Sequence, residues 1–330
     1  MPEIRASGLV LVRREPGGVL YLRLVNARHG DVGLPKGRAA AGETEVAAAL
    51  RETEEETGVP PGEVAVNAFW RRETRYPLRG RRKAVAYRIG VTARAEVRLS
   101  KEHAAFAWAP LDATLGALRH ESLRAVVRAA AVFLKDPSLR RGLDPPGARA
   151  FLVAQAGAGA PVVAHTAQVA AVARALAEAA SGCDAAFVEC CAWLHDVGRA
   201  RTQGARHPLE GFHLADAGGL GGHAASCLSH FTKGAAREEL LADPGLEAAL
   251  VEEMWGACDL ATFPLEEKVV ALADFLAVGA RRARIEEREA DLVRRYGASP
   301  TIARNARISR ALLVELEARA GRPLYPLLGL

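Results

Sequence analysis

Cysteines are too few here, and wrongly spaced, for a disulfide-built fold. The 330 residues hold five, Cys183, Cys190, Cys191, Cys227 and Cys258, an odd number with no CxxC pair. In a chain of this length they read as reduced core thiols. Long apolar runs are missing as well. The apolar stretches are alanine-rich and broken by Arg, Glu or Asp every few residues, too short to span a bilayer. Residues 1–14 have neither an apolar h-region nor a small-residue cleavage site, so no secretory signal is expected and a cytoplasmic location is. Nor does one sign of charge dominate. The net charge is +5, and the arginines are scattered apart from short clusters at 71–75, 79–83 and 281–284. That balance suits an anionic substrate and argues against nucleic acid, which asks for a denser basic face. The sequence also contains no internal repeat and no long low-complexity segment.

What is present is apolar residues, 50% of the chain, enough to bury two ordinary cores. Residues 9–12 and 19–25 read as strands around the turn signal Glu15-Pro16-Gly17-Gly18. A Gly/Pro-rich loop over 30–42 leads into a helix over 44–57, stopped by Gly58 and Pro60. Further strands are predicted near 64–71 and 84–92, then a helical stretch over 111–135 with a stripe of Leu123, Val127, Ala130 and Leu134. Residues 136–150, with Asp144-Pro145-Pro146-Gly147, read as a linker. Beyond it strand signals vanish and helical periodicity runs to the end. The simplest organisation is an α/β domain over 1–135 and an all-α domain over 151–330 with a helical tail.

The most specific pattern is Gly37-x5-Glu43-x7-Arg51-Glu52-Thr53-Glu54-Glu55-Glu56-Thr57-Gly58-Val59. Glu52, Glu55 and Glu56 stand at i, i+3 and i+4, so three carboxylates share one helix face and repel. A hard divalent cation relieves that repulsion through oxygen ligands, bridges phosphate oxygens and activates a water. The Gly-rich loop before the helix allows close backbone approach to a phosphate chain. A solvated acidic face would explain the glutamates, but not Gly37, Glu43, Arg51 and Gly58 at fixed offsets.

This segment resembles the Nudix box, departing only at Thr53, where an aliphatic residue is usual. The resemblance covers residues 1–135 and implies an α/β/α Nudix sandwich. In it Glu52, Glu55 and Glu56 are catalytic and bind Mg²⁺ or Mn²⁺, and Arg51 and Glu43 are structural and accessory. Leu34-Pro35-Lys36-Gly37, and Glu102-His103 followed by Phe106 and Trp108, are similar to segments of Nudix enzymes that cut dinucleoside tetraphosphates or diphosphoinositol polyphosphates. The likeness implies that Lys36, Gly37, Lys83 and Tyr87 contact substrate and that Glu102 is a further metal ligand or base; His103 is as readily structural.

A second constellation lies in the helical half. Val188, Cys191, Ala192 and His195 fall at i, i+3, i+4 and i+7, so His195 continues a buried stripe. His165 heads another with Val169, Val172 and Leu176, and Asp274 sits among Val270, Ala273 and Ala277. Burying a lone carboxylate costs on the order of several kcal/mol, and a shared metal would remove that cost. A lone histidine in such a place would be an ordinary core residue; the set is not. His165, His195-Asp196 and Asp274 resemble the His…His-Asp…Asp pattern of the HD superfamily of all-α metal-dependent phosphohydrolases over about 150–285. The resemblance implies catalysis at Asp196 and one or two divalent metals (Mn²⁺, Fe or Ni). His207 and His230 stand where binuclear members, including bacterial hydrolases of diadenosine tetraphosphate, carry extra ligands. Arg199 and Lys233 are candidate phosphate contacts, and His213 and His223 read as surface or helix residues.

Together these features predict a bifunctional metal-dependent hydrolase of phosphoanhydride bonds in nucleoside or dinucleoside polyphosphates. Two other tasks fit the same motifs. The Nudix half could sanitise oxidised nucleoside triphosphates or remove 5′-pyrophosphate from RNA, and one domain could be a nucleotide sensor regulating the other. No membrane partner is expected. A homo-oligomer is compatible with the sequence, which leaves the oligomeric state open.

Overall fold

The structure, a computed structural model, describes residues 3–67, 69–78, 80–140 and 142–330; Arg79, one member of the second arginine cluster, lies outside them. The chain divides into two compact units, Met1–Ser138 and Leu139–Leu330.

Among the described residues, the first unit is built on a mixed sheet of eight strands: β1 (Ile4–Glu15), β2 (Gly18–Asn26), β3 (Val32–Gly33), β4 (Lys36–Arg38), β5 (Ala65–Val66), β6 (Arg72–Leu78), β7 (Arg81–Val91) and β8 (His103–Ala109). Its spine is the parallel pair β1 and β7, in register from Ile4↔Lys83 to Val12↔Val91. The expected hairpin joins β1 to β2, with Glu15 opposite Gly18. Leu9, Val10, Leu11 and Val12 are all fully buried, so β1 is covered on both faces, as a sheet between helices requires. On one face Leu9, Leu11, Leu22 and Leu24 pack with Ala49 of the helix α1 (Glu45–Thr57).

Local chemistry fixes the ends of α1. The Thr44 hydroxyl accepts from Ala47 N–H, and Gly58 turns the chain out at φ 68°. Thr53 is fully buried and donates to Ala49 O at 2.7 Å, which is how a hydroxyl occupies the place of an aliphatic residue. Strands β3 and β4 fall within the predicted loop over 30–42, and other elements differ as well. The strand predicted near 64–71 appears as β5 over Ala65–Val66, whereas β6 (Arg72–Leu78) and β8 (His103–Ala109) lie outside the predicted strands. The helical stretch divides into α2 (Leu111–Ala117) and α3 (Glu121–Phe133), broken at 118–120.

The second unit is helical: α4 (Pro145–Ala156), α5 (Pro161–Ala179), α6 (Ala185–Leu194), α7 (His207–Ala217), α8 (Gly221–Thr232), α9 (Arg237–Leu241), α10 (Ala248–Ala257), α11 (Leu265–Phe275), α12 (Ile285–Tyr296) and α13 (Pro300–Ala320). A two-residue hairpin, β9 (Ala277–Val278) with β10 (Arg281–Arg282), interrupts them. Residues 145–150, read as linker, are the start of α4. Asp144 caps it by accepting from Gly147 N–H at 2.8 Å, with Pro145 at its first position; Asp-Pro opens a helix as readily as a loop. Cys190, Cys191, Cys227 and Cys258 are buried free thiols, and Cys183 is half-buried.

Candidate metal centres

In the first unit the loop before α1 and the face of α1 meet. Glu56 is buried and its Oε2 accepts from Lys36 N–H at 3.0 Å. Burial pushes its carboxyl up to about 7 against the pull of Lys36, and nearby Glu52 and Glu102 add to the rise. Gly37 is a matter of space: a Cβ there would lie 1.8 Å from Glu52 Oε2. The glutamates do not converge on one point. Arg51 takes Glu52 Oε1 at 2.8 Å and Glu55 Oε1 at 3.2 Å, and its other nitrogens hold both oxygens of Glu43. A guanidinium therefore already relieves part of the repulsion assigned to a cation. Hydrogen bonds from Arg51, then from the Ala40 N–H, hold Glu43 down at about 2.

Lys83 and Tyr87, four apart on β7, share a face of the strand. Burial, then Lys36 and Arg38, lowers the Lys83 ammonium. Tyr87 differs from expectation. It exposes only 2% of its surface, so its ring is packed into the sheet and is not presented to a substrate. Glu102 is exposed; its charge reaches both Glu56 and His103.

The second unit draws its candidate ligands from five places: His165 on α5, His195 and Asp196 just after α6, His207 at the start of α7, His230 on α8 and Asp274 on α11. The apolar stripes turn inward as expected, with Val169, Val172, Leu176, Val188 and Ala273 fully buried. Asp196 is the centre. Its Oδ2 faces His165 Nε2 and His195 Nε2, each at 3.9 Å, and its Oδ1 faces His207 Nε2 at 3.1 Å and His230 Nε2 at 3.5 Å. Asp274 Oδ1 closes the first group, 3.3 Å from His165 and 3.7 Å from His195. Among the described residues, His165, His195 and Asp274 form one group able to hold a metal ion, and His195, Asp196 and His230 another.

The donors are oriented as ligands. Nδ1 of His195, His207 and His230 donates to the carbonyls of Ala192, Gly204 and Ser226 at 2.6, 2.9 and 3.1 Å, which leaves each Nε2 lone pair pointing at the cluster. His195 Nε2 and Asp196 Oδ1 are buried without a hydrogen-bond partner, an arrangement a cation would satisfy. Burial opposes ionisation of Asp196, but the facing imidazoles of His195, His207 and His230 hold it well below the usual carboxylate range. Burial pushes His230 down to about 4 despite Asp196.

Two expected phosphate contacts are engaged elsewhere. Arg199 donates to Asp196 Oδ2 at 2.6 Å and to His207 Nε2 at 3.2 Å. Lys233 is buried and donates to Ala271 O at 2.7 Å and Asp274 Oδ2 at 3.5 Å. It positions a candidate ligand and is not open to a substrate; its neighbour in the chain, Thr232, ends α8 and gave no hint of this. His213 is exposed, and His223 is a buried helix residue. A cavity of about 670 Å³ opens beside His165, Asp196 and Arg199, and its far wall includes Arg288, Arg295 and Tyr296 of α12. Those three lie in an unremarkable amphipathic stretch, and nothing in the sequence singles them out.

The NUDIX domain model matches residues 3–129, and the HD domain model residues 162–279. A bis(5′-nucleosyl)-tetraphosphatase (asymmetrical) from Rattus norvegicus is 33% identical over 140 residues, 40% of this chain and 95% of the relative. An 8-oxo-(d)GTP phosphatase from Mycolicibacterium smegmatis is 33% identical over 143 residues, 41% of this chain and 42% of that protein. A solved Ap4A hydrolase complex from C. elegans is 27% identical, covering 40% of this chain and 97% of the other with a TM-score of 0.39. The two domain matches and the tetraphosphatase relatives mark the chain as a hydrolase of phosphoanhydride bonds. The chain belongs to the Nudix family, with an HD domain following the Nudix domain.

Proposed function

We propose that the protein hydrolyses nucleoside or dinucleoside polyphosphates at two centres, one in each unit. The observation that carries the reading of the second centre, as a two-metal site, is the split of Asp196, one oxygen toward the His165 and His195 pair and the other toward His207 and His230. Both oxygens of one carboxylate facing imidazole lone pairs suits two divalent ions, of which Mn²⁺, Fe and Ni fit the donor set. In the first unit Glu52, Glu55 and Glu56 would hold Mg²⁺ or Mn²⁺ beside Lys36 and Gly37. Such ions supply charge neutralisation on phosphoryl oxygens and an acidified water. The protein's own groups orient and bind: Lys36 and Lys83 meet phosphate, Glu56 or Glu102 takes a proton from water, and Lys233 and Arg199 hold Asp274 and Asp196 in place.

The substrate class rests on the tetraphosphatase relatives, whose length the chain nearly spans. A second reading, hydrolysis of oxidised nucleoside triphosphates, draws on the mycobacterial relative, of which the chain covers under half. The deciding experiment offers the full chain dinucleoside tetraphosphates, plain triphosphates and 8-oxo triphosphates, with metals varied. Glu55→Ala should abolish one set of products and Asp196→Ala another. A variant that leaves every rate unchanged would make its domain a binding module.

A further inference from the structure

The cavity beside Asp196 is not finished by the helices that carry the candidate ligands. Its outer wall is α12, which lies beyond the residues matched by the HD domain. Arg288, Leu292, Arg295 and Tyr296 stand at i, i+4, i+7 and i+8, so one face of α12 is turned to the cavity. Facing them at the start of α5 are Ala160, Pro161 and Val162.

The charges along this wall are unbalanced. Buried Asp291 serves three guanidiniums, Arg288 at 3.8 Å, Arg295 at 3.4 Å and Arg294. Arg288 is half-buried, and its Nε–H is buried with no hydrogen-bond partner. Tyr296 is 69% exposed, an unusual state for a large aromatic at the mouth of a polar cavity. A volume of about 670 Å³ is far larger than one phosphate needs and falls in the range of organic-ligand pockets.

We propose that α12 is the nucleotide-binding wall of this cavity: Arg288 and Arg295 hold a phosphate chain whose end reaches His165 and Asp196, and a purine base lies against Tyr296. Guanidinium groups suit phosphate because two parallel N–H groups match two phosphate oxygens. The phenol ring and the apolar start of α5 supply the flat, water-poor surface that a base requires. The ligand class is thus a nucleoside polyphosphate; neither inorganic phosphate nor an acidic peptide would use both halves of the wall. This rests on the reading of the second unit as a nucleotide phosphohydrolase.

The test uses the full chain with Mn²⁺ and 8-azidoadenosine triphosphate as a photoreactive probe, with tryptic peptides mapped by mass spectrometry. Labelling of the tryptic peptide that contains Tyr296, which begins at Tyr296 in the native protein and at residue 295 in the Arg295→Gln variants, should be saturable, competed by ATP and less well by inorganic tripolyphosphate. Arg288→Gln with Arg295→Gln should raise the half-saturating probe concentration about ten-fold or more. Arg295→Gln alone, a change at an exposed site that leaves the fold undisturbed, should raise it by a smaller factor. No saturable label in that peptide, or unchanged half-saturation in the double variant, overturns the proposal. Asp196→Asn separates the two readings. If it spares phosphate release while the label persists, the catalytic reading falls and the α12 site stands. If it abolishes release while the arginine variants bind normally, the reverse holds.

Discussion

At the scale of residues, two buried histidines show how surroundings decide chemistry. His195 and His223 both bury ring nitrogens that lack a hydrogen-bond partner. Burial works against the charged form of His195, but Asp196 and Asp274 more than offset it and push the imidazole up. His223 has Phe187 at 4.7 Å between ring centroids, with the charges of Arg140 and Asp184 nearby. Burial, then Arg140, pushes it down to about 4 against the contrary pull of Asp184. A base with a depressed folded pKa contributes stability that is complete above the unfolded value of 6.5 and is lost as pH falls through 4. That loss amounts to about 3 kcal/mol at most, since each unit is ~1.4 kcal/mol. Urea unfolding at about pH 7.5 and about pH 4.5 should show it in the native protein. His223→Leu, which puts an apolar group against Phe187, should lose correspondingly less on acidification. Equal acid losses in both proteins would mean that His223 stays neutral in neither or both states.

At the scale of elements, close packing sets the sites, and two glycines predict opposite outcomes. A Cβ on Gly198, in the 3-10 turn Val197–Ala200, would lie 1.9 Å from the carbonyl oxygen of His207 and 2.4 Å from Gly211 N. Those are backbone atoms that cannot rotate aside. Gly198→Ala must therefore push the turn off α7, parting Asp196 from His207. The expected cost is about 1–3 kcal/mol or more, with weakened Mn²⁺ binding in a calorimetric titration. At Gly37 the obstacle is the tip of the Glu52 side chain, which can turn away. Gly37→Ala should keep its melting temperature and lose Nudix turnover on the order of 100-fold, because the carboxylate is displaced. A stable, metal-binding Gly198→Ala protein would refute the packing argument.

Much at this scale was legible in the sequence, for a local reason. Thr44, Gly58 and the 3.6-residue stripes through His165, His195 and Asp274 act over a few neighbouring residues, and the helices follow them. Strand β6 was hidden because Arg72-Glu73-Thr74-Arg75 carries charges on both sides of the chain, and β8 because its alanines suit helix and strand alike. The break between α2 and α3 is announced only by Gly116, in the last turn of α2. The assignment of Arg199 and Lys233 to phosphate rests on their charge, and that of Tyr87 to substrate on the Nudix likeness. Their engagement with the sheet, Asp274 and Asp196 depends on tertiary neighbours that no spacing reveals.

At the scale of the whole molecule, each unit keeps its own core and its own candidate centre, so each should answer to metal by itself. A ligand that binds only the native state stabilises it by about 2.7 kcal/mol at 100 times its dissociation constant. In a unit the size of the second, that corresponds to a rise of about 5–10 °C in melting temperature. The source of the gain is specific here. Without a cation, Asp196 Oδ1 and His195 Nε2 are buried and unsatisfied, a state that costs roughly 1–3 kcal/mol for each group. Calorimetric scans of the full chain should therefore show one transition that rises with Mn²⁺, falls with EDTA and loses both responses in Asp196→Ala. Glu56→Gln should leave that transition alone, because its carboxyl belongs to the other core. A Mn²⁺ shift that survives Asp196→Ala would move the ion away from this carboxylate, and with it the argument that the divided contacts of Asp196 exist to join two metals.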